Sequence, residues 1–500
     1  MPTLAELYRP SLALLTDLYQ LTMAFGYFKT GAAQKEASFS LTFRQHPFGG
    51  GFTVACGLEP ALTYLEALRF ELADLDFLAT LTGNDDQPLF DDHFLEYLRR
   101  FTFRCDVHAV PEGTVVFPHE PLLRVTGPLL EAQLVETALL TIVGFQTLIA
   151  TKAARICAAA AGEPVLEFGL RRAQGIDGGL AASRAAHVGG CAATSNVLAG
   201  RLFGIPVRGT HAHSWVMAFT DELEAFAAYA AAMPANCVFL VDTYDTLAGV
   251  RHACEVGRAL AERGHRLAGV RLDSGDLAYL SVEARRILDA EGFPDAVIVA
   301  SNDLDEHLIA DLKRQGAAIS VWGVGTKLVT GHDQAALGGV YKLAALREPG
   351  GRWEPRVKLS EQAVKTSNPG LLQVRRYSDG HGAVADAIYD ELVPLGPEVT
   401  IVDPTDPLRR RRIPAGLSSQ DLLVPVLRGG ERVYEPPPLA AVRDHAQAEL
   451  ARFHAGIKRF SNPHRYPVGL ERSLFELKSH LILSARAARD AAPSGAEGGP

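Results

Sequence analysis

Six short apolar runs between residues 165 and 326 each end in side chains that could do chemistry: VLEFGLRR, IPVRGTHAHS, CVFLVDTYD, LAGVRLDSGD, AVIVASND and AISVWGVGT. In Arg271-Leu-Asp-Ser-Gly-Asp276, the guanidinium suits a carboxylate or phosphate in two-pronged geometry, and the carboxylates suit Mg²⁺ or ribose hydroxyls. The structural alternative is a helix N-cap from Asp273 or Ser274, with Asp276 favourable in the first turn. Gly323-Val-Gly325-Thr326-Lys327 has the composition of a phosphate cradle, because glycines let backbone N–H groups approach oxygens and Thr326 adds a hydroxyl. So short a pattern also arises by chance. Gly209-Thr-His-Ala-His-Ser214 offers His211 and His213 without a third metal ligand nearby, which favours an acid–base or nucleophilic histidine over a metal site. A loop histidine without a role is the plain alternative. Phe168-Gly-Leu-Arg171-Arg172 sets an aromatic beside two cations, a pairing that suits a flat aromatic acid but also suits core packing and a surface ion pair. Ser301-Asn302-Asp303 and Asp242 read most simply as caps or turn residues, and their functional reading rests on the company they keep.

Residues this far apart need a fold that gathers them. In a parallel α/β barrel, each buried strand delivers its C-terminal loop to one mouth, so Arg171, His213, Asp242, Arg271, Asp273, Asn302 and Thr326 would converge there. Helical periodicity over 248–263, 277–291 and 304–315 supplies the alternation. Six strand signals are fewer than the eight of a regular barrel, and a doubly wound sheet gives the same pattern. Before this series, 15–26 reads as a helix with Thr16 as a possible cap. Residues 37–44 alternate like a strand, and 107–123 reads as short strands. His46-Pro-Phe-Gly-Gly-Gly-Phe52 breaks the chain with three glycines. Beyond about 335, strand-like pieces at 340–345, 371–376 and 422–427 precede a mainly helical 443–485. Arg409–Arg412 is expected in a solvated surface loop, and 491–500 in a disordered tail.

Composition bounds the function. The chain has 500 residues, 47% of them hydrophobic, more than one core usually supports, and a formal charge of −9. That charge argues against nucleic-acid and anionic-membrane partners. Six cysteines without a CxxC pair point to reduced, buried thiols. The start lacks a basic region followed by an apolar core, and charges interrupt the apolar stretch 129–160, so a soluble cytoplasmic protein without a membrane span is expected.

Nine segments occur together and in order: LLTDLYQLTMAFGY, PFGGGFTVACGLE, EFGLRRAQG, GTHAHSWV, RLDSGDL, ASNDLDE, WGVGTKLVT, LGGVYKL and NPHRYPVGLERSLFELK. Together they resemble the nicotinate phosphoribosyltransferase family across nearly the whole chain. The resemblance implies an α/β fold: an irregular α/β barrel of the type II phosphoribosyltransferase kind over 131–335, carrying the active site. An N-terminal α+β domain over 1–130 would be completed by segments within 336–490. It implies that nicotinate attacks C1 of 5-phosphoribosyl 1-diphosphate to give nicotinate mononucleotide and diphosphate, with ATP as co-substrate and Mg²⁺ or Mn²⁺ as cofactor. Through the matching motifs it implies nicotinate contacts from Arg271, Thr210 and Tyr19, the last reaching across a homodimer with shared active sites. Phe168 and Arg171 are added to that set as supports. It implies a phosphohistidine at His213, and diphosphate-side roles for Gly323, Gly325, Thr326, Ser301 and Asn302. Asp273 would serve the ribose, diphosphate and Mg²⁺ side as a catalytic residue. One departure stands out: the family usually has an apolar residue where this chain has His211, which could pair with an anion or point outward.

The same chemistry on nicotinamide or quinolinate is the nearest rival. A sugar-phosphate aldolase or isomerase barrel would want a Schiff-base lysine, and Lys327 is the only lysine at a strand end. A non-catalytic relative would have lost Arg271, Asp273 or His213, and all are present.

Overall fold

The structure is a computed structural model that describes residues 11–360 and 366–491. The expected tail beyond Ala491 and the first ten residues lie outside the described residues.

The apolar runs build a parallel sheet: β1 (Val165–Glu167), β2 (Ala193–Thr194), β3 (Val238–Leu240), β4 (Gly269–Leu272), β5 (Val297–Ala300) and β6 (Val321–Val324). Its order is β2-β1-β6-β5-β4-β3. These strands are buried on both faces, which is why they read as unbroken apolar runs and not as alternation. Five of the six signals become strands. The sixth, IPVRG, makes only an isolated parallel bridge from Val207 to Thr194, because Pro206 has no N–H to give a ladder. Conversely β2, two residues long, has no apolar run to announce it.

The intervening helices are α1 (Thr246–Glu262), α2 (Leu277–Ala290) and α3 (Glu306–Arg314), each amphipathic and packed on the strands through residues such as Val250, Leu288 and Ile309. Their N-caps are Asp245, Asp276 and Asp305, whose carboxylates accept from the backbone N–H groups of Ala248, Tyr279 and Leu308. The capping residues expected earlier in each loop, Asp242, Asp273 or Ser274, and Ser301–Asp303, do not cap. The acid beyond each of them takes the helix end instead.

A seven-stranded antiparallel sheet forms the second layer. Glu36–Phe43 sits between Pro121–Pro128 and Gly339–Arg347, and Asp106–Ala109 pairs with Val424–Arg428. Segments that follow the parallel sheet in sequence are thus built into the sheet that precedes it. A third, six-stranded sheet contains Leu372–Asp379, Gly382–Asp390 and Val468–Glu471. The helix expected over 15–26 runs from Leu18 to Thr30 after Asp17, and Thr16 does not cap it. Arg410–Ile413 is an edge strand, not a loop, with its three arginines exposed as the charged edge of a sheet should be. The apolar 129–160 stretch forms two helices, Leu129–Leu134 and Glu136–Ala160, both largely buried. At Gly51 a Cβ would lie 2.5 Å from the Ile457 carbonyl, so the triple-glycine turn is pressed against the 457–463 segment. A cavity of about 460 Å³ opens beside that turn, lined by Arg44, His46, His119 and Arg465. All six cysteines are free thiols.

Candidate active site

Arg271 leaves the end of β4 with its side chain mostly covered and organises the cluster. Its Nε donates to Ser301 Oγ at 2.8 Å, Nη1 to Thr210 Oγ1 at 3.0 Å and Nη2 to Asp273 Oδ1 at 2.9 Å. The Phe168 ring, beyond β1, lies 5.6 Å from the guanidinium carbon. That ring rests on Gly323 of β6, where a Cβ would come within 2.7 Å of it. Thus β1, β4, β5 and β6, with the loop after Val207, supply one constellation, as the parallel arrangement requires.

Asp273 is the hinge between Arg271 and the histidine. Its Oδ1 also accepts a short hydrogen bond from the Ser301 hydroxyl, and its Oδ2 lies 3.8 Å from His213 Nε2. Burial alone would raise its pKa, but the Ser301 hydroxyl and the Arg271 guanidinium hold its carboxyl below the usual carboxylate range. Its backbone N–H donates to Asp242 Oδ2 at 2.8 Å, as does the Ser274 hydroxyl at 2.7 Å. Asp242 has a buried side chain whose Oδ1 has no hydrogen-bond partner and lies 4.0 Å from His213 Nε2. The other ring nitrogen of His213 shares a 3.1 Å hydrogen bond with Thr243 Oγ1. With 40% of its side chain exposed, His213 presents an oriented imidazole to solvent between two carboxylates.

His211 neither points outward nor meets an anion. It is 8% exposed, packs on Tyr229, Phe226 and Phe239, and its Nε2 accepts the Leu240 N–H at 3.3 Å. Burial, with the nearby Arg271 and His213 charges, lowers its pKa.

Asn302 and Asp303 follow β5 with φ of 96° and 38°, left-handed backbone that non-glycine residues seldom adopt. Gly325 and Thr326 begin the single turn Thr326–Val329 beside Gly169. Lys327 turns away from that loop to pair with Asp305 at 2.7 Å, which leaves it no freedom as a Schiff-base nucleophile. Arg171 is exposed on the turn Leu170–Arg172 and makes no hydrogen bond or ion pair among the described residues. Tyr19 sits 47% exposed on the Leu18–Thr30 helix, and no hydrogen bond or ring contact joins it to the strand-end cluster. Sequence reasoning missed Thr243 as a partner of the site and read Ser274 only as a possible cap; Asp242 was among the residues expected at the mouth, with a cap as its simpler reading. The signal for all three was position: each stands within three residues of the end of a buried strand, beside or at an acid.

Comparison with known proteins identifies the family. Family models for the nicotinate phosphoribosyltransferase (NAPRTase) N-terminal domain, the NAPRTase family and the NAPRTase C-terminal domain match residues 14–144, 164–350 and 373–478. The chain is 44% identical to nicotinate phosphoribosyltransferase of Bacillus subtilis, covering 94% of this chain and 95% of the relative. It is 38% identical to that of Homo sapiens, covering 94% and 96%. The crystal structure of human nicotinic acid phosphoribosyltransferase superposes with a TM-score of 0.81 at 35% identity, covering 93% of this chain and 99% of that one. A nicotinate-nucleotide pyrophosphorylase from Pyrococcus furiosus shares the fold, with a TM-score of 0.67 at 23% identity. With family models over most of its length and relatives of this identity and coverage, the chain belongs to the nicotinate phosphoribosyltransferases.

Proposed function

We propose that this nicotinate phosphoribosyltransferase of NAD biosynthesis holds nicotinate at Arg271, Thr210 and Phe168. The carrying observation is the guanidinium of Arg271. Three of its five N–H donors are taken by Ser301, Thr210 and Asp273, which fixes its plane and leaves two for a carboxylate. Phe168 offers a flat apolar wall for the pyridine ring. Arg171 adds an uncommitted cation at the rim. Tyr19 completes the pocket from a second copy, and its exposure beside Leu15, Leu18 and Met23 supports that homodimer. A second exposed apolar stripe, Val197, Leu198 and Leu202, gives the partner a surface to cover.

The phosphoribosyl diphosphate lies toward Ser301, Asn302, Gly323, Gly325 and Thr326. The pyridine nitrogen attacks C1 as the C1–O bond to diphosphate breaks, and the leaving group takes the electron pair. C1 is then cationic in the transition state, and the Asp273 carboxylate, held ionised by Ser301 and Arg271, stabilises it from the protein side. Mg²⁺ fits here as a passenger of the diphosphate, since Asp242 Oδ1 is buried without a partner and Asp273 Oδ2 faces the same space. When bound, the ion neutralises diphosphate charge. His213 Nε2 attacks the γ-phosphorus of ATP as the bond to the β,γ-bridging oxygen breaks and ADP leaves with the electron pair: the ring is exposed enough to meet a nucleotide, and Thr243 holds its other nitrogen. The parallel sheet is read as the wall of an irregular barrel, supported by its two edges both meeting the 207–211 segment. Six free thiols support a reducing, cytoplasmic setting.

Competition among nicotinate, nicotinamide and quinolinate, with phosphoribosyl diphosphate and with or without ATP, tests this reading. Nicotinate should dominate, Arg271→Lys should raise its KM at least tenfold, and γ-³²P from ATP should label the wild type but not His213→Ala. Label retained on His213→Ala would displace the phosphohistidine assignment.

A further inference from the structure

The two edges of the parallel sheet, β2 and β3, are joined by one segment. Val207 bridges to Thr194 of β2 through the backbone. Four residues on, His211 reaches the backbone of β3, where its Nε2 accepts the N–H of Leu240. Among the described residues that N–H meets no other acceptor, because β3 pairs with β4 on its other side and is the last strand of the sheet. A backbone N–H only donates, so Nε2 carries no proton and the proton sits on Nδ1, 3.4 Å from the Ala212 carbonyl. Phe226, Tyr229 and Phe239 pack around the ring.

The residues flanking His211 are the ones the site depends on. Thr210 takes an Arg271 N–H and itself donates to the His211 carbonyl. His213 opens a one-turn helix that faces Thr243 and Asp242, three and two residues past Leu240. This hydrogen-bond staple therefore ties the loop carrying Thr210 and His213 to the end of the strand that Asp242 and Thr243 follow.

We propose that His211 is a positioning residue that closes the seam between β2 and β3 by a side-chain-to-backbone hydrogen bond, and so sets Thr210 against Arg271 and His213 against Asp242. It touches neither substrate nor phosphate. The inference rests on the assignment of Thr210 and Arg271 to nicotinate made above. Burial that keeps the imidazole neutral is consistent with it.

Three variants of the full-length enzyme and one measurement on the wild type test it. His211→Leu fills the aromatic cage but removes the acceptor; His211→Gln restores an acceptor near the same place. His211→Leu should raise the nicotinate KM five- to fiftyfold and cut ATP stimulation, and His211→Gln should recover most of both. Equal losses in the two variants, or wild-type kinetics in His211→Leu, would overturn the proposal and leave His211 as packing alone. Thr210→Val separates the two levels. If it leaves the nicotinate KM unchanged, the underlying assignment fails; if it raises KM while His211→Leu does not, only the staple fails. Should His211→Leu not fold, hydrogen exchange of the Leu240 amide in the wild type decides. Protection like that of the neighbouring strand interior supports the staple, and rapid exchange refutes it.

Discussion

Asp242 bears the largest unmet demand of any single residue at the site. One oxygen organises the Asp273 N–H and the Ser274 hydroxyl, and the other is buried, unpartnered and aimed at His213. Asp242→Asn preserves shape but places an amide where either two donors or the imidazole expects an acceptor. Turnover should fall at least tenfold, about 1.4 kcal/mol in the barrier, while the nicotinate KM moves less than threefold because Arg271 and Thr210 are untouched. Steady-state kinetics at saturating ATP check this, and an equal rise in KM would show that Asp242 shapes the nicotinate pocket as well. Much of the site was legible at this scale. Arg271, Asp273, His213 and Phe168 were singled out from residue type at strand ends and Thr210 through the family resemblance, and the structure brings them together. Thr243 was not, because a threonine after an acid has no chemistry of its own until the fold sets it against an imidazole.

The three βα loops share a device visible only once helix starts are known. Asp242, Asp273 and Asn302 each stand at the strand end, and three residues later Asp245, Asp276 and Asp305 cap the helices. With the helix N–H groups already satisfied, the first residue of each pair is released for the site. Sequence alone offered two acids per loop and no means to choose, and the nearer one was assigned the cap. The consequence is testable. Asp276→Ala should cost about 1 kcal/mol of stability and leave kcat within twofold. Asp305→Ala should cost more, because Lys327 loses its partner as well. Urea unfolding followed by assay of the folded protein measures both, and a Asp276→Ala enzyme with normal stability but lost activity would contradict this division of labour. The same scale explains the strand that was misread: a run of arginines has poor strand propensity, yet Arg410–Ile413 needs only one partner because it lies at an edge.

Across the whole molecule, ionic groups lie buried where the layers meet. Arg184 on the Gly175–Val188 helix pairs with Glu112 and Glu59 of the N-terminal part. Lys152 and Arg155 share Glu306 at the head of α3. Three histidines of the N-terminal half are held neutral chiefly by burial, His46 with its pKa pushed down to about 3, and His108 and His119 to about 4. In the unfolded chain each titrates near 6.5, so below that pH the unfolded state binds more protons and stability falls. The loss begins as pH drops through about 6.5 and continues to the folded values, at up to about 1.4 kcal/mol per pH unit for each histidine fully engaged. Denaturant midpoints measured from pH 7.5 to 5 should decline, and His46→Gln should flatten the decline. A midpoint independent of pH would mean these rings are not buried neutral.

The interleaving of the sheets also bears on how the chain is made. All six strands of the parallel sheet lie between residues 165 and 324, so that unit emerges from the ribosome with every partner in hand. The N-terminal sheet does not: Glu36–Phe43 awaits Gly339–Arg347, and Asp106–Ala109 awaits Val424–Arg428. Both can pair early with Pro121–Pro128, but at about 5–20 residues per second translation leaves the other edge of each open for some tens of seconds. Vectorial synthesis thus reverses the order of the chain, since the parallel sheet can mature while the segment made first still waits with open strand edges.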